Sequence, residues 1–475
     1  MATAGVTRSA PALGFQTLSE ETTVRELPLR GELPPWLAGS LLRTGPAQFE
    51  VGERSMRHWF DGLAMLHRFT IDRSGVSYGN RYLQSRAYRD AQERGAIAYG
   101  EFATDPCRSL FKRMQTMFAP AGAVSDNANV NVTRLGERFV AMTETPIPVQ
   151  FDARTLQAAQ APPYRAPGHL TTAHPHLDRA SGGMLNYAAK LGPSSSYRFF
   201  RVAPAGERPE LVATLPVSRP AYMHSFGLTQ RYIVLAEFPL VVNPLALALS
   251  GRPYIENYRW RPERGTRFTL IDRRTGRAAP PVEAEPCFAF HHVNAFEREG
   301  EVVVDVCAYP DAEVIADLYL ERLRGGAPVR GATLTRFRLP APGGSAGEVS
   351  VEALAEEDVE LPRISYAGHN ERPYRFVWGN GTGGAGWLER IVKVDVERGE
   401  CSTWAEPDRY PGEPVFVPAP DAQEEDEGVL LSVVLDAAAE RSFLLVLDAS
   451  DLSEVARAEV PHHIPFSFHG QFFGE

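Results

Sequence analysis

Phe268-Thr-Leu-Ile-Asp272-Arg-Arg-Thr-Gly-Arg277 reads as a short apolar strand that runs into a polar turn. Ser442-Phe-Leu-Leu-Val-Leu-Asp448-Ala-Ser-Asp-Leu452 repeats the pattern near the other end of the chain. Elsewhere in the chain the same unit recurs in other words: Arg138-Phe-Val-Ala-Met, Arg231-Tyr-Ile-Val-Leu-Ala, Glu301-Val-Val-Val-Asp-Val-Cys, Arg375-Phe-Val-Trp, Arg390-Ile-Val-Lys-Val-Asp and Val429-Leu-Leu-Ser-Val-Val-Leu-Asp. β-Branched and aromatic residues fill these runs, because they pack well on a pleated surface. The 40 glycines and 38 prolines cut the chain every few residues. Many short strands at this spacing give an all-β architecture. At 475 residues the chain exceeds one ordinary compact core. A radial arrangement of four-stranded blades is the economical solution, since it leaves few exposed strand edges. No clean repeat is visible, so the blade number does not follow from periodicity.

Bulk properties exclude several classes. The net charge of −10 leaves no broad basic surface for phosphates, so nucleic acid is not expected as a partner. Apolar residues make up 44% and charged residues 23%, as in an ordinary globular protein. Cys107, Cys287, Cys307 and Cys401 are far apart, without a Cys-x-x-Cys pair, which fits a reducing compartment rather than a disulfide scaffold. The first residues lack a basic start followed by an apolar core, so no secretory signal is expected. No stretch reaches the roughly 18 apolar residues of a spanning helix; Val234–Leu249 is broken by Glu237, Pro239, Asn243 and Pro244.

Helical pattern is scarce. In Cys107–Phe118, Leu110, Phe111, Met114, Met117 and Phe118 fall on one helical face, with Arg108, Lys112 and Arg113 adding positive charge. Periodicity alone favours a helix capping the core over a basic segment on a membrane surface. The acidic run Glu424–Glu427 reads as a solvated loop.

Chemistry concentrates in four histidine segments: Thr172-Ala-His174-Pro-His176, Tyr222-Met-His224-Ser-Phe-Gly, Phe288-Ala-Phe-His291-His292-Val-Asn and Pro465-Phe-Ser-Phe-His469-Gly. Taken singly, each histidine reads as a hydrogen-bonded structural residue. Together they read as one set, but no two lie at a helical chelate spacing, so only a closed ring could bring them together. Neutral imidazole suits iron, copper, zinc and nickel alike. A metal-bound imidazole donates its other N–H to a carboxylate or carbonyl. Isolated acids beside proline are therefore the supporting candidates: Glu144 in Met-Thr-Glu-Thr-Pro, Glu360 in Val-Glu-Leu-Pro and Glu413 in Gly-Glu-Pro. Singly, each of these is a surface acid.

The ensemble resembles the carotenoid cleavage oxygenases nearly from end to end. Arg57-His-Trp-Phe-Asp61-Gly62 resembles the family's His-x-Phe-Asp-Gly segment, and the four histidine segments resemble its four ligand motifs. The resemblance implies one propeller domain over 1–475, with seven blades and a helical or loop cap over the iron-bearing face. Residues 1–20 are expected to be a flexible or strap-like segment. It implies one Fe(II) per chain on His174, His224, His291 and His469, with Glu144, Glu360 and Glu413 each holding a ligand imidazole and one ligand left without a carboxylate. In the two paired motifs the family favours the first histidine, so His176 and His292 are expected as neighbours. The implied reaction is oxidative scission of a conjugated C=C bond by O₂, giving two carbonyl products from a carotenoid or apocarotenoid. No obligate protein partner is evident.

Stilbene-cleaving relatives resemble one another in a lysine just before the first glutamate; here that residue is Thr143, which favours a hydrocarbon polyene. Phe60, Ala128 and Thr143 are expected as pocket walls. Asp105–Phe118 and Pro239–Leu249 resemble the membrane-contacting patch of the animal enzymes, which reverses the preference drawn from periodicity. The patch is then Cys107, Leu110, Phe111, Met114, Met117 and Phe118, and the location cytoplasmic with peripheral membrane contact. Stilbene cleavage, polyene isomerisation, a non-catalytic scaffold and copper or zinc chemistry on the same fold are the rival readings.

Overall fold

The computed structural model describes residues 10–105, 124–159, 161–178, 181–206, 208–343, 348–383 and 386–474. The membrane patch expected over 107–118 lies outside them. Seven sheets follow one another in chain order and close into a β-propeller. Blade 1 is built from Thr23–Val24, Gly39–Gln48, Leu63–Asp72 and Gly75–Tyr82, and blade 2 from Asn131–Leu135, Arg138–Met142 and Val149–Phe151. Blade 3 spans Leu170–Thr171 to Pro209–Pro216, blade 4 Gly227–Leu228 to Val282–Ala284, and blade 5 Phe288–Arg298 to Ser350–Asp358. Blade 6 runs from Glu360–Arg363 to Glu400–Trp404, and blade 7 from Arg409–Pro411 to Glu454–Glu459. All the strands named in the sequence are present, and Phe268–Arg277 does end in a turn: the Asp272 carboxylate accepts from the Arg274 and Thr275 N–H groups, and Gly276 has φ +70°.

The ring is fastened twice. Gly470–Gly474 pairs antiparallel with Gly39–Gln48 as a fifth strand of blade 1. Leu29–Gly31 pairs with Glu454–Glu459 at the edge of blade 7. Each seam covers a strand edge that would otherwise be open. Ala10–Phe15 straps across this region: buried Phe15 packs edge-on against Trp59, Trp387 and Phe466, and Arg324 donates to its carbonyl.

The acidic run is not a freely solvated loop. Both Glu425 carboxylate oxygens accept from the Arg375 N–H, and one also accepts from the Phe376 N–H. Asp426 pairs with Lys393, which is buried over the Phe376 ring. Composition alone gives this stretch no partner, because the partners come from blade 6. Cys287, Cys307 and Cys401 are free thiols.

Candidate metal centre and cavity

Each of the four expected imidazoles is aimed by its local backbone. His291 sits in the inner strand of blade 5, where the register with Glu301–Tyr309 slips between Ala289 and His292. A bulge re-aims side chains. Adjacent histidines thus part: His291 turns to the axis, while His292 faces the Ser225 hydroxyl at 2.8 Å. His176 is likewise occupied elsewhere, on the Phe226 carbonyl at 2.9 Å. His174 lies in a loop held by the Asn131 amide on the Ala173 carbonyl (2.8 Å) and the Asn186 amide on the Thr172 carbonyl (3.0 Å). The Thr172 hydroxyl accepts the His174 N–H and donates to the His224 carbonyl, clipping two segments together. His469 precedes a glycine for a steric reason: a Cβ on Gly470 would stand 2.4 Å from Arg43 Cγ and 2.8 Å from the Leu42 carbonyl oxygen.

The ligand atoms of His174, His224, His291 and His469 all lie within 4.8 Å of one another. Three carboxylates hold three of the rings: Glu144 Oε1 is 2.6 Å from His224 Nδ1, Glu360 Oε2 2.5 Å from His291 Nδ1, and Glu413 Oε1 2.7 Å from His469 Nδ1. Among the described residues no carboxylate reaches His174. The glutamates are themselves fixed, by Tyr222 on Glu144 (2.8 Å), Tyr309 on Glu360 (3.0 Å) and Arg363 with the Gly470 N–H on Glu413 (both 2.9 Å). The sequence reading missed the three side chains among these outer partners. Tyr222 stood inside a quoted motif, but nothing local marks Tyr309 or Arg363. Glu360 and Arg363 belong to one four-residue strand, kinked at Leu361 with φ +50°. A non-glycine residue in that region stores about 1–2 kcal/mol of strain. The kink lets one short strand serve two imidazoles.

Burial drives His469 down to about 4, and His174 and His224 are also lowered, chiefly by burial. Burial pushes Glu413 up, but Arg363 and His469 outweigh it and hold its carboxyl well below the ordinary range. Burial likewise raises Glu360, and His291 brings it back below the ordinary value. His174, His224 and His469 are therefore held as neutral imidazoles, and Glu360 and Glu413 as carboxylates.

This donor set fits a cation. With Nδ1–H given to Glu360 and Glu413, His291 and His469 both present lone pairs at Nε2, and those atoms lie 3.1 Å apart. His224, tied to Glu144, points its own Nε2 at His174 Nε2 from 2.9 Å. Two lone pairs facing one another repel; a divalent cation between them turns that repulsion into coordination.

The cluster opens onto a cavity of about 340 Å³, the size of a small-molecule site. His224, His291 and His469 line it beside Phe60, Phe102, Phe290, Phe468 and Trp387. Phe60 and Thr143 lie in the cavity wall. Ala128 does not: it is fully buried with Leu42, Ala64, Val132 and Ala141, and its carbonyl accepts from Thr44. His58 and Asp61 explain the His-Trp-Phe-Asp segment. They cap the single turn Trp59–Asp61 reciprocally, and buried Asp61 also accepts from the Ala103 N–H (2.9 Å) and the Thr104 hydroxyl (2.6 Å). That knot sets Phe60 and Phe102 together, with ring centroids 5.1 Å apart.

Fold and site define a β-propeller with four clustered imidazoles, able to hold a metal ion, under an apolar cavity. The family model described as retinal pigment epithelial membrane protein matches residues 15–474. The chain belongs to this family, the carotenoid oxygenases. The mitochondrial carotenoid-cleaving dioxygenase of Pongo abelii is 35% identical, over 95% of this chain and 93% of that protein. The carotenoid isomerooxygenase of Galleria mellonella is also 35% identical, over 95% and 94%. The solved structure of the cobalt-substituted Synechocystis apocarotenoid oxygenase superposes with a TM-score of 0.85 at 26% identity, covering 98% of each chain.

Proposed function

We propose that this chain is a carotenoid-cleaving dioxygenase that binds one Fe(II) and uses O₂ to split a conjugated C=C bond of a carotenoid or apocarotenoid. The observation that carries the reading is the opening of the four-imidazole cluster directly onto an aromatic, apolar cavity. His174, His224, His291 and His469 would hold the metal. Bound Fe(II) supplies the dioxygen chemistry, and the bond change balances as C=C plus O₂ giving two C=O groups. The chain's own residues do the rest. Glu144, Glu360 and Glu413 fix the tautomer of three imidazoles, so that each Nε2 faces inward. Phe60, Phe102, Phe290 and Phe468 confine a flat polyene and exclude water from the centre. No acid, base or nucleophile is required of the protein.

No lysine lines the cavity among the described residues, and Thr143 stands before Glu144, which weighs against phenolic olefins. The insect relative named as an isomerooxygenase favours a second reading, in which cleavage comes with a change of double-bond geometry. The test is an aerobic assay of Fe(II)-loaded protein with a polyene and a hydroxystilbene side by side, under ¹⁸O₂, with products identified by mass and geometry by chromatography. Labelled carbonyls from the polyene support the proposal. Carbonyls from the stilbene alone, or none from either despite bound iron, overturn it.

Contact with a lipid surface belongs to the same reading. The helix Pro244–Ser250 leaves Leu245 and Leu249 exposed at 68% and 65% and carries no charged residue, while Leu247 packs inward with Tyr254 of the cavity wall.

A further inference from the structure

Four carboxyl-bearing residues line the cavity: Glu101, Glu144, Asp358 and Glu360. Two are spent on imidazoles, and Asp358 accepts the Thr382 N–H at 2.7 Å. Glu101 stands apart. Its Oε1 accepts from the Ser125 hydroxyl at 2.7 Å, the Asn127 amide lies beside it, and among the described residues it joins no ion pair with a basic side chain. Its charged neighbours are the acids Asp61 and Asp126.

Each of those two collects backbone N–H groups of its own. Asp61 collects the His58 and Ala103 N–H groups and the Thr104 hydroxyl. Asp126 collects the Arg86 (2.9 Å) and Ala87 (2.7 Å) N–H groups at the N-terminus of the helix Arg86–Arg94. Arg57 lies within electrostatic reach of Asp61, and Asp126 sits at a helix N-terminus. Among the described residues only acids act electrostatically on Glu101, so a negative charge there is the least compensated of the three. Burial, then the two neighbouring carboxylates, push Glu101 well above its ordinary value, in line with that placement. A neutral carboxyl donates a hydrogen bond. Facing an apolar cavity, it needs an acceptor that a hydrocarbon cannot offer.

We infer that Glu101, set by Ser125 in the cavity wall beside Phe102, binds the oxygen of an oxygenated polyene end group, a carbonyl or a hydroxyl. The inference rests on the polyene reading above and narrows it to substrates that carry such an oxygen. Glu101 is a specificity residue; it does not touch the reacting bond.

The experiment uses the metal-free full-length protein with a bound polyene aldehyde, and the Raman C=O stretch as readout. The stretch is expected below its value in alkane solution for wild type, back at that value in Glu101→Leu, and partway in Glu101→Gln, whose amide still donates. In the Fe(II) enzyme, the ratio of kcat/KM for the aldehyde to that for the hydrocarbon of equal length should fall about tenfold in Glu101→Leu, the worth of one good hydrogen bond. An alkane-like stretch in wild type, a stretch unmoved by both variants, or an unchanged ratio overturns the inference. If Glu101→Leu does not fold, Glu101→Gln carries the test: an unmoved stretch there rejects Glu101 as the donor. A shifted stretch with no cleavage of either polyene would uphold the Glu101 site while the cleavage reading fails.

Discussion

His291 and His469 show at the scale of one residue why the centre needs its carboxylates. Each imidazole must keep its lone pair inward, and only an acceptor behind Nδ1 ensures that. Glu413→Gln and Glu144→Gln each keep the shape but weaken that acceptor. Metal affinity or turnover should drop about 10–100-fold, read by metal titration and by the polyene assay. Full activity in both variants would remove the glutamates from the mechanism. Asp61 makes a separate prediction about pH. Burial raises its carboxyl to about 6 from 3.8, so between those values the folded protein holds a proton the unfolded chain has released. The stability this adds is present below about pH 4 and lost as pH rises through about 6. Wild type should therefore lose up to about 3 kcal/mol relative to Asp61→Asn between about pH 4 and pH 7, seen in denaturant midpoints. A gap that stays constant over that range would show that Asp61 titrates normally. The four clustered histidines and their three glutamate partners were named before the fold was known through the family resemblance of their motifs; taken singly they read as structural histidines and surface acids. Tyr309 and Arg363 were not, since an outer partner is chosen by folding and leaves no local mark.

Single elements carry more than their lengths announce. The strand Glu360–Arg363 supports His291 with its first residue and, through Glu413, His469 with its last. The sequence marked Glu360 but could not mark the kink at Leu361, since leucine has no preference for positive φ. The acidic run was misread for the opposite reason: charge density predicts solvation, yet Glu425 and Asp426 are spent on the Arg375 and Phe376 N–H groups and on Lys393. The helix Pro244–Ser250 offers the cleanest element-level test. Leu245→Asp with Leu249→Asp removes about 1.5–3 kcal/mol of transferable apolar surface per side chain and adds two charges. The double variant should stay in the supernatant when mixed with liposomes that sediment the wild type. Equal sedimentation would move membrane contact away from this helix.

Across the whole molecule, the seven residues of the centre are distributed one to a blade, or to the loop leading into it. His469 belongs to blade 1, Glu144 to blade 2, His174 to blade 3, His224 to blade 4, His291 to blade 5, Glu360 to blade 6 and Glu413 to blade 7. The blade count that no sequence repeat revealed was thus present in the spacing of the site residues themselves. A cation at the axis joins ligands from four blades, so it should stabilise the ring as a whole. At a hundredfold excess over its Kd, Fe(II) or Co(II) should add about 2.7 kcal/mol, observed anaerobically as a rise in Tm that a chelator reverses. No shift in Tm on chelation would place the ion outside the ring.

The one-per-blade arrangement also bears on how such a chain can change over generations. Propellers occur with four to eight blades, and duplication or loss of a blade is a natural route between them. Here any such event would delete a ligand or its carboxylate, or swing the remaining imidazoles off their common point. With a metal held by the four imidazoles as proposed, coordination chemistry would hold the blade number and leave variation to the loops above the ring, where the cavity wall is made.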